Sequence, residues 1–212
     1  MQMTRHRRAP RSKAKYATNM SDILPDHLRN DNRLVIVGCN PSPTAAKTGV
    51  YYSGPNNQFW SLLRDCGLLP PEVAKLRNAA LLPLYGIGIT DLVKVRATAC
   101  SSEVMAHEFK IGAAVLCKKL EAFRSIKVVV FNGKVVYEKF TGKPCEYGIQ
   151  VEKLNGAAVV VAPSSSARAG RQSFEDKLRH WRSAASLMQT RFSEVNVDTI
   201  GGADPSDPVT FR

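Results

Sequence analysis

The chain has 212 residues and carries 30 Lys+Arg against 18 Asp+Glu, a formal charge of +12. With 44% hydrophobic and 23% charged residues it has the make-up of a folded domain, which excludes a collagen-like or fully disordered chain. Its apolar runs are strand-sized, too short for a transmembrane helix. The five cysteines (Cys39, Cys66, Cys100, Cys117, Cys145) form no CxxC pair and leave one over in any disulfide scheme. They are expected as reduced thiols that build no zinc or iron–sulfur site.

Charge divides the chain in three. Residues 1–20 hold six basic side chains and no acid, residues 193–212 one basic and four acidic, and the domain between, 21–192, is again basic. A basic arm on a basic domain suggests a polyanionic partner, most simply nucleic acid; solubility alone is the plainer reading. The arm lacks apolar periodicity and is expected to be mobile, as is the acidic tail, with its Gly201-Gly202 and Asp/Pro pairs. An Arg-rich, acid-free arm also resembles an organellar transit peptide.

Between the arms the elements alternate. Leu34 to Val37 is a continuous apolar run closed by Gly38, as expected for a parallel strand buried on both faces. A polar Pro/Gly-rich loop is expected to Asn56. Phe59, Trp60, Leu62 and Leu63 then mark a short helix that stops at Gly67. From Val104, the residues Met105, Phe109, Leu116, Leu120 and Phe123 recur at helical spacing, with Gly112 completing the stripe. Val128 to Phe131 is a second buried strand, with a helix expected after Asn132-Gly133. Val159 to Val161 is a third strand, ending at Pro163, and Phe174 to Met188 a closing helix. The alternation predicts an α/β three-layer sandwich around a mainly parallel sheet.

In such sheets ligands bind beyond the carboxyl ends of the strands, where two runs enter polar loops, GCNPSP and APSSSAR. Neither loop is GxGxxG, and GxxxxGK[ST] and GxSxG are absent, which weakens nucleotide-cofactor, P-loop and α/β-hydrolase readings. The serines Ser164, Ser165 and Ser166 would need a placed histidine to form a triad. Of His6, His27, His107 and His180, one lies in the arm, two on amphipathic helices and one ahead of the first strand.

The loops carry a family resemblance. Gly38-Cys39-Asn40-Pro41, Thr48-Gly49 and the run Tyr51 to Trp60 (YYSGPNNQFW) resemble the first motif of the mismatch-specific uracil/thymine-DNA glycosylases. Tyr85 to Thr90 and Val130 to Lys134 resemble two further segments of that family. Pro163-Ser164-Ser165-Ser166-Ala167-Arg168 is similar to its second motif, in the form of the thymine-DNA glycosylase branch. The match runs in order from about Ile23 to Met188.

The resemblance implies base flipping into a pocket, a positioned water at the sugar, a stacking wall and polarisation of the leaving base. It makes Asn40 the water-positioning residue, against a plain Asn-Pro turn. Cys39, Ala45, Tyr51, Tyr52 and Asn57 fall in the base pocket: Tyr52 as the stacking aromatic, Ala45 as the small side chain that leaves room for a 5-methyl group. Tyr51 stands where the thymine branch commonly has His, and packing is its alternative. Asn57 is equally well explained as a helix N-cap. Asp91 departs from the Asn usual in that branch, and three readings stand open: it reads the base, it activates water as a general base, or it caps or turns toward solvent against Lys94 or Arg96. Ser164, Ser165, Ser166 and Ala167 with Arg168, Arg171 and Lys134 are implied as DNA contacts, Arg168 filling the gap left by the flipped nucleotide.

The expectation is a monofunctional DNA glycosylase that excises uracil, and sterically thymine or modified pyrimidines, from duplex DNA opposite guanine. Double-stranded DNA with a G·U or G·T mismatch is the expected partner, with no cofactor, metal or membrane, and the protein monomeric. No lysine lies in either main motif at a place suited to a Schiff base (Lys47 is the nearest), so lyase chemistry is not expected. The site of action would be intracellular, at DNA in a nucleus or nucleoid, unless the arm directs it to an organelle. Two other readings compete: a catalytically silent damage-binding module on the same fold, and an unrelated nucleoside or nucleotide hydrolase.

Overall fold

The computed structural model describes residues 23–167 and 172–190. The expectations placed on the basic arm, the acidic tail, Arg168 and Arg171 lie outside these residues.

The three apolar runs are strands β1 (Leu34–Gly38), β3 (Val128–Asn132) and β5 (Ala157–Ala162). With β2 (Ile87–Asp91) and β4 (Gly148–Leu154) they form a five-stranded sheet in the order β2-β1-β3-β5-β4. β1 pairs in parallel with β2 and β3, and β3 with β5; only β4 runs antiparallel, on β5. Alternate residues feed two cores. Leu34, Ile36, Val128, Val130 and Val160 face one side, where Trp60, Leu63, Leu178 and Trp181 cover them. Val35, Val37, Val129, Phe131 and Val161 face the other, against Phe109, Leu116, Leu120 and Tyr137. Burial on both faces is why these strands read as unbroken apolar runs, and it makes the three layers expected from sequence.

The predicted helices are α2 (Phe59–Asp65), α4 (Ala106–Ala122), α5 (Lys134–Thr141) and α6 (Phe174–Thr190). The expected loop up to Asn56 contains a short helix, α1 (Pro43–Thr48), with Pro at its first position and the Ser42 hydroxyl accepting from the Ala45 N–H. These are standard start signals. α3 (Pro71–Leu76) and a 3-10 turn from Ala79 to Tyr85 fill the link into β2. The outer edge of β2 is capped by an antiparallel bridge from His27 to Ile89.

Gly112 on α4 is fixed by close approach: a methyl added there would lie 2.0 Å from the Leu92 carbonyl oxygen, in the loop leaving β2. Gly112→Ala would gain about 1 kcal/mol of helix propensity, but backbone cannot give way by that distance. We expect a net loss of about 1–3 kcal/mol from overpacking, read as a lower denaturant midpoint at unchanged slope.

Candidate active site

β1 is flanked by β2 and β3, so the chain leaves the sheet in opposite directions on its two sides, and a crevice opens at the carboxyl ends of these strands. A cleft of about 440 Å³ occupies that place. Each parallel strand delivers a polar residue to it: Asn40 just after β1, Asp91 at the end of β2, Asn132 at the end of β3, and Ser164 and Ser165 after β5.

Asn40 is half-buried, and its Nδ2 donates to the Pro41 carbonyl at 2.9 Å and to Thr98 Oγ1 at 2.8 Å. The Thr98 hydroxyl in turn donates to the Cys100 carbonyl, so it can only accept from the amide. This fixes which way the Asn40 amide points and leaves Oδ1 as its acceptor in the cleft. Thr98 and Cys100, which the sequence did not single out, are thus the supports of Asn40.

Asp91 is 5% exposed and makes no side-chain hydrogen bond among the described residues. The solvent-facing reading is overturned: Arg96 pairs with Glu108, and Lys94 with Asp26. Asp26 is a half-buried hub that accepts from Lys94, from Lys119 at 2.5 Å and from Thr90 Oγ1 at 2.6 Å. Burial would raise its pKa, but these hydrogen bonds hold it below the usual carboxylate range. Because Asp26 neutralises the lysines, their charge relieves Asp91 little. Burial raises Asp91 to about 7, with Lys94 and Lys119 opposing and Asp26 adding to the rise.

Tyr52 lines the cleft with its ring stacked on Phe59, centroids 4.0 Å apart and planes 21° apart. Its φ of 54° is rare for an aromatic residue, local strain of the kind found where a side chain is aimed at a site. Phe59 takes one face of the ring, so a ligand would meet the other. Tyr51 is buried against His27 and Tyr52, and its carbonyl accepts from Trp60 Nε1. It reaches the cleft only as part of that packed wall. Ala45 is buried on α1, and Cys39 is half-buried beside Asn40 with its thiol pushed up to about 12 by burial and by the Asp91 carboxylate. That thiol is inert near neutral pH. Asn57 lines the cleft, and its Oδ1 accepts from the Phe59 N–H at 3.0 Å, one residue ahead of the helix cap itself, which is Gln58 rather than Asn57.

The serine loop is bolted down. Ser165 is fully buried, its N–H donates to Asn132 Oδ1 at 2.9 Å, and its Oγ accepts from Asn132 Nδ2 at 2.9 Å. The Ser165 carbonyl accepts from the Gln58 N–H, and Lys177 on α6, almost fully buried, donates to Gln58 Oε1 at 2.8 Å and to the Ser166 carbonyl. Ser165 is therefore committed inward, which corrects its reading as a free phosphate ligand. Ser164 and Ser166 remain half-exposed at the cleft, and Ala167 is exposed just beyond it. Lys134 sits at the mouth, 2.8 Å from Glu146 and 4.6 Å over the Tyr147 ring. Asn132 and Lys177 were not assigned roles from sequence; Asn132 had a visible signal, a polar residue directly after a buried strand, as Asn40 is after β1. Among the described residues no cluster of His, Cys, Asp and Glu converges to hold a metal ion.

Comparison with known proteins places this geometry. The G/U mismatch-specific uracil DNA glycosylase of Schizosaccharomyces pombe is 32% identical over 167 residues, covering 74% of this chain and 51% of that protein. The chain thus spans about half the length of that curated relative. A solution NMR structure of a candidate uracil DNA glycosylase from Methanosarcina acetivorans overlaps 77% of this chain and 96% of its own, at 20% identity and a TM-score of 0.49. The model of the uracil DNA glycosylase superfamily matches residues 25–185, a span that takes in all five strands and every cleft residue named above: the chain belongs to the uracil DNA glycosylase superfamily.

Proposed function

We propose that this chain is a monofunctional DNA glycosylase that receives a flipped uracil from duplex DNA, preferably opposite guanine, and hydrolyses its N-glycosidic bond to leave an abasic site. The observation that carries the reading is the Asn40 amide, locked by Pro41 and Thr98 with its carbonyl oxygen turned to the cleft. An amide held that way is a poor base but a good fixed acceptor, suited to orienting a water rather than deprotonating it. Asp91 supplies the missing basicity: ionised above about pH 7, it takes the proton of the attacking water as the sugar develops positive charge.

The free face of Tyr52 stacks on the base, and Ala45 leaves space beside it for a 5-substituent, which would admit thymine or modified pyrimidines. Ser164, Ser166 and Lys134 contact backbone phosphates at the mouth, and Arg168, on the resemblance of its segment, fills the vacated stack. The name of the fission-yeast relative supports the G·U preference.

Single-turnover excision on labelled duplexes carrying G·U, A·U, G·T or no lesion tests this. Alkali-dependent cleavage at uracil, faster for G·U than for A·U, is the expected result. Salt-sensitive binding with no cleavage of any duplex would instead identify a silent damage-binding module.

A further inference from the structure

The Tyr52 side chain has a feature that base stacking does not use. Its hydroxyl is buried and has no well-formed hydrogen bond, a state that in a protein interior costs free energy comparable to a lost hydrogen bond. The hydroxyl is not remote from chemistry. A methyl group built on Gly38 would lie 2.6 Å from the Tyr52 oxygen and 2.0 Å from Asp91 Oδ1. Both oxygens therefore converge on the same point above the end of β1, and only a glycine there leaves them room. On its other side the phenol oxygen lies within reach of the Asn132 amide, and that amide is already clamped to Ser165.

Resting on the glycosylase reading above, we propose that Tyr52 is a positioning residue through its hydroxyl: the phenol oxygen accepts from the Asn132 amide and its O–H donates to the Asp91 carboxylate, so that ionised Asp91 is held facing the cleft. Proton donors and acceptors balance along this line. Asn132 Nδ2 has a second N–H beyond the one given to Ser165, the phenol gives its single proton, and a carboxylate only accepts. The serine loop, Asn132, Tyr52 and Asp91 then form one connected line, so a duplex seated on the loop steadies the group that activates water.

The proposal fixes the direction of a pH effect. The other charged and titratable groups around Asp91 are Lys94 and Lys119, which favour its ionised form, Asp26, which disfavours it, and the Cys39 thiol, which burial and Asp91 itself keep neutral. The phenol stays protonated throughout, because burial and the neighbouring carboxylate push it well above its usual range. It can thus donate at any working pH. Removing a donor to the charged form raises a carboxyl pKa.

Tyr52→Phe keeps the ring, its stack on Phe59 and any stack on a base, and removes only the hydroxyl. Two readouts are taken on the full chain. In the DNA-free protein, carbon-detected NMR follows the Asp91 carboxyl against pH in wild type and Tyr52→Phe. We expect the midpoint to rise by about one unit in the variant, whatever the protein does to DNA. In single-turnover excision of G·U duplexes, the rising limb of the pH profile should move with it. The rate then falls about tenfold on the acid side, where one pK unit is a factor of ten, and above the shifted midpoint it recovers most of that loss but stays below wild type, because ionised Asp91 has lost the donor that holds it facing the cleft. Combining Tyr52→Phe with Asp91→Asn should abolish the shift, leaving the double variant no slower than Asp91→Asn alone. An unchanged Asp91 midpoint in the DNA-free variant overturns the proposal. Wild-type protein that excises nothing overturns the glycosylase reading instead, and the NMR midpoint still decides the Tyr52–Asp91 pair.

Discussion

Alanine at position 40 is expected to slow single-turnover excision of uracil from a G·U duplex by about a hundredfold to a thousandfold, the range seen when one preorganised polar group is removed from a transition-state site. The argument is geometric. Two acceptors hold the Asn40 amide nitrogen, at 2.9 Å and 2.8 Å, so the carbonyl oxygen has no rotational freedom to lose when it binds water. Alanine leaves the water with one fewer fixed partner, and the entropy of orienting it returns to the barrier. The cost to folding should be small, about 1 kcal/mol, because the side chain is half-buried and Thr98 keeps its bond to the Cys100 carbonyl. DNA binding should stay near wild type, since the phosphate-facing residues lie on other loops. Excision that persists within a few-fold of wild type would return Asn40 to a turn-making role before Pro41.

The second large effect couples stability and activity at Asp91. Its pKa is raised from 3.8 to about 7 by burial. The native state therefore keeps its proton where the unfolded chain has given it up, and stability falls as pH rises through that window. Well below pH 4 both states are protonated and nothing is lost, and at pH 4 the loss is still small; above about pH 7 the full penalty stands, up to roughly 4 kcal/mol at about 1.4 per unit. Asparagine carries no such charge. Asp91→Asn is expected to match wild type in denaturant unfolding at pH 4 and to exceed it at pH 8. The same variant should excise uracil about a hundredfold or more slowly and lose the rise in rate through pH 7, because no group remains to take the proton of the water. A variant more stable yet far slower is the signature of a carboxylate kept in a costly place for its chemistry. If stability is unchanged at pH 8, the carboxylate is better solvated than its surroundings imply. If the rate is unchanged, it reads or merely borders the base.

How much of this was legible in the sequence follows from which signals are local. β1, β3 and β5 were readable because a strand covered on both faces is a continuous run of Val, Ile, Leu, Phe and Ala. α2, α4 and α6 were readable because each keeps an apolar stripe at helical spacing. β2 was not: it is short, it begins Ile87-Gly88, and it ends in Thr90 and Asp91, whose burial depends on Asp26 and on the neighbouring strands. β4 was not either, because an antiparallel edge strand leaves Ile149 and Val151 exposed and carries no buried pattern. The six-residue helix inside the first loop has start signals in Ser42 and Pro43, but it buries only Ala45 and is too short to show an apolar stripe.

The same division runs through the site. Sequence by itself determined the three-layer architecture, the basic charge that points to a polyanion, and the loops that hold Asn40, Tyr52 and the serines, because these depend on residue type, order and short-range spacing. Only the tertiary structure decided that Asp91 faces inward rather than toward Lys94 or Arg96, that Asn57 lines the cleft while its side chain accepts from the Phe59 N–H, that Ser165 is spent on Asn132, and that the Tyr52 and Asp91 oxygens both crowd the space above Gly38. The reason is physical: Lys94 is only three residues on, but burial, the charge of Lys119 and the cancellation of both lysines by Asp26 come from residues far away in the chain, and a carboxylate's pKa is set by what surrounds it in space.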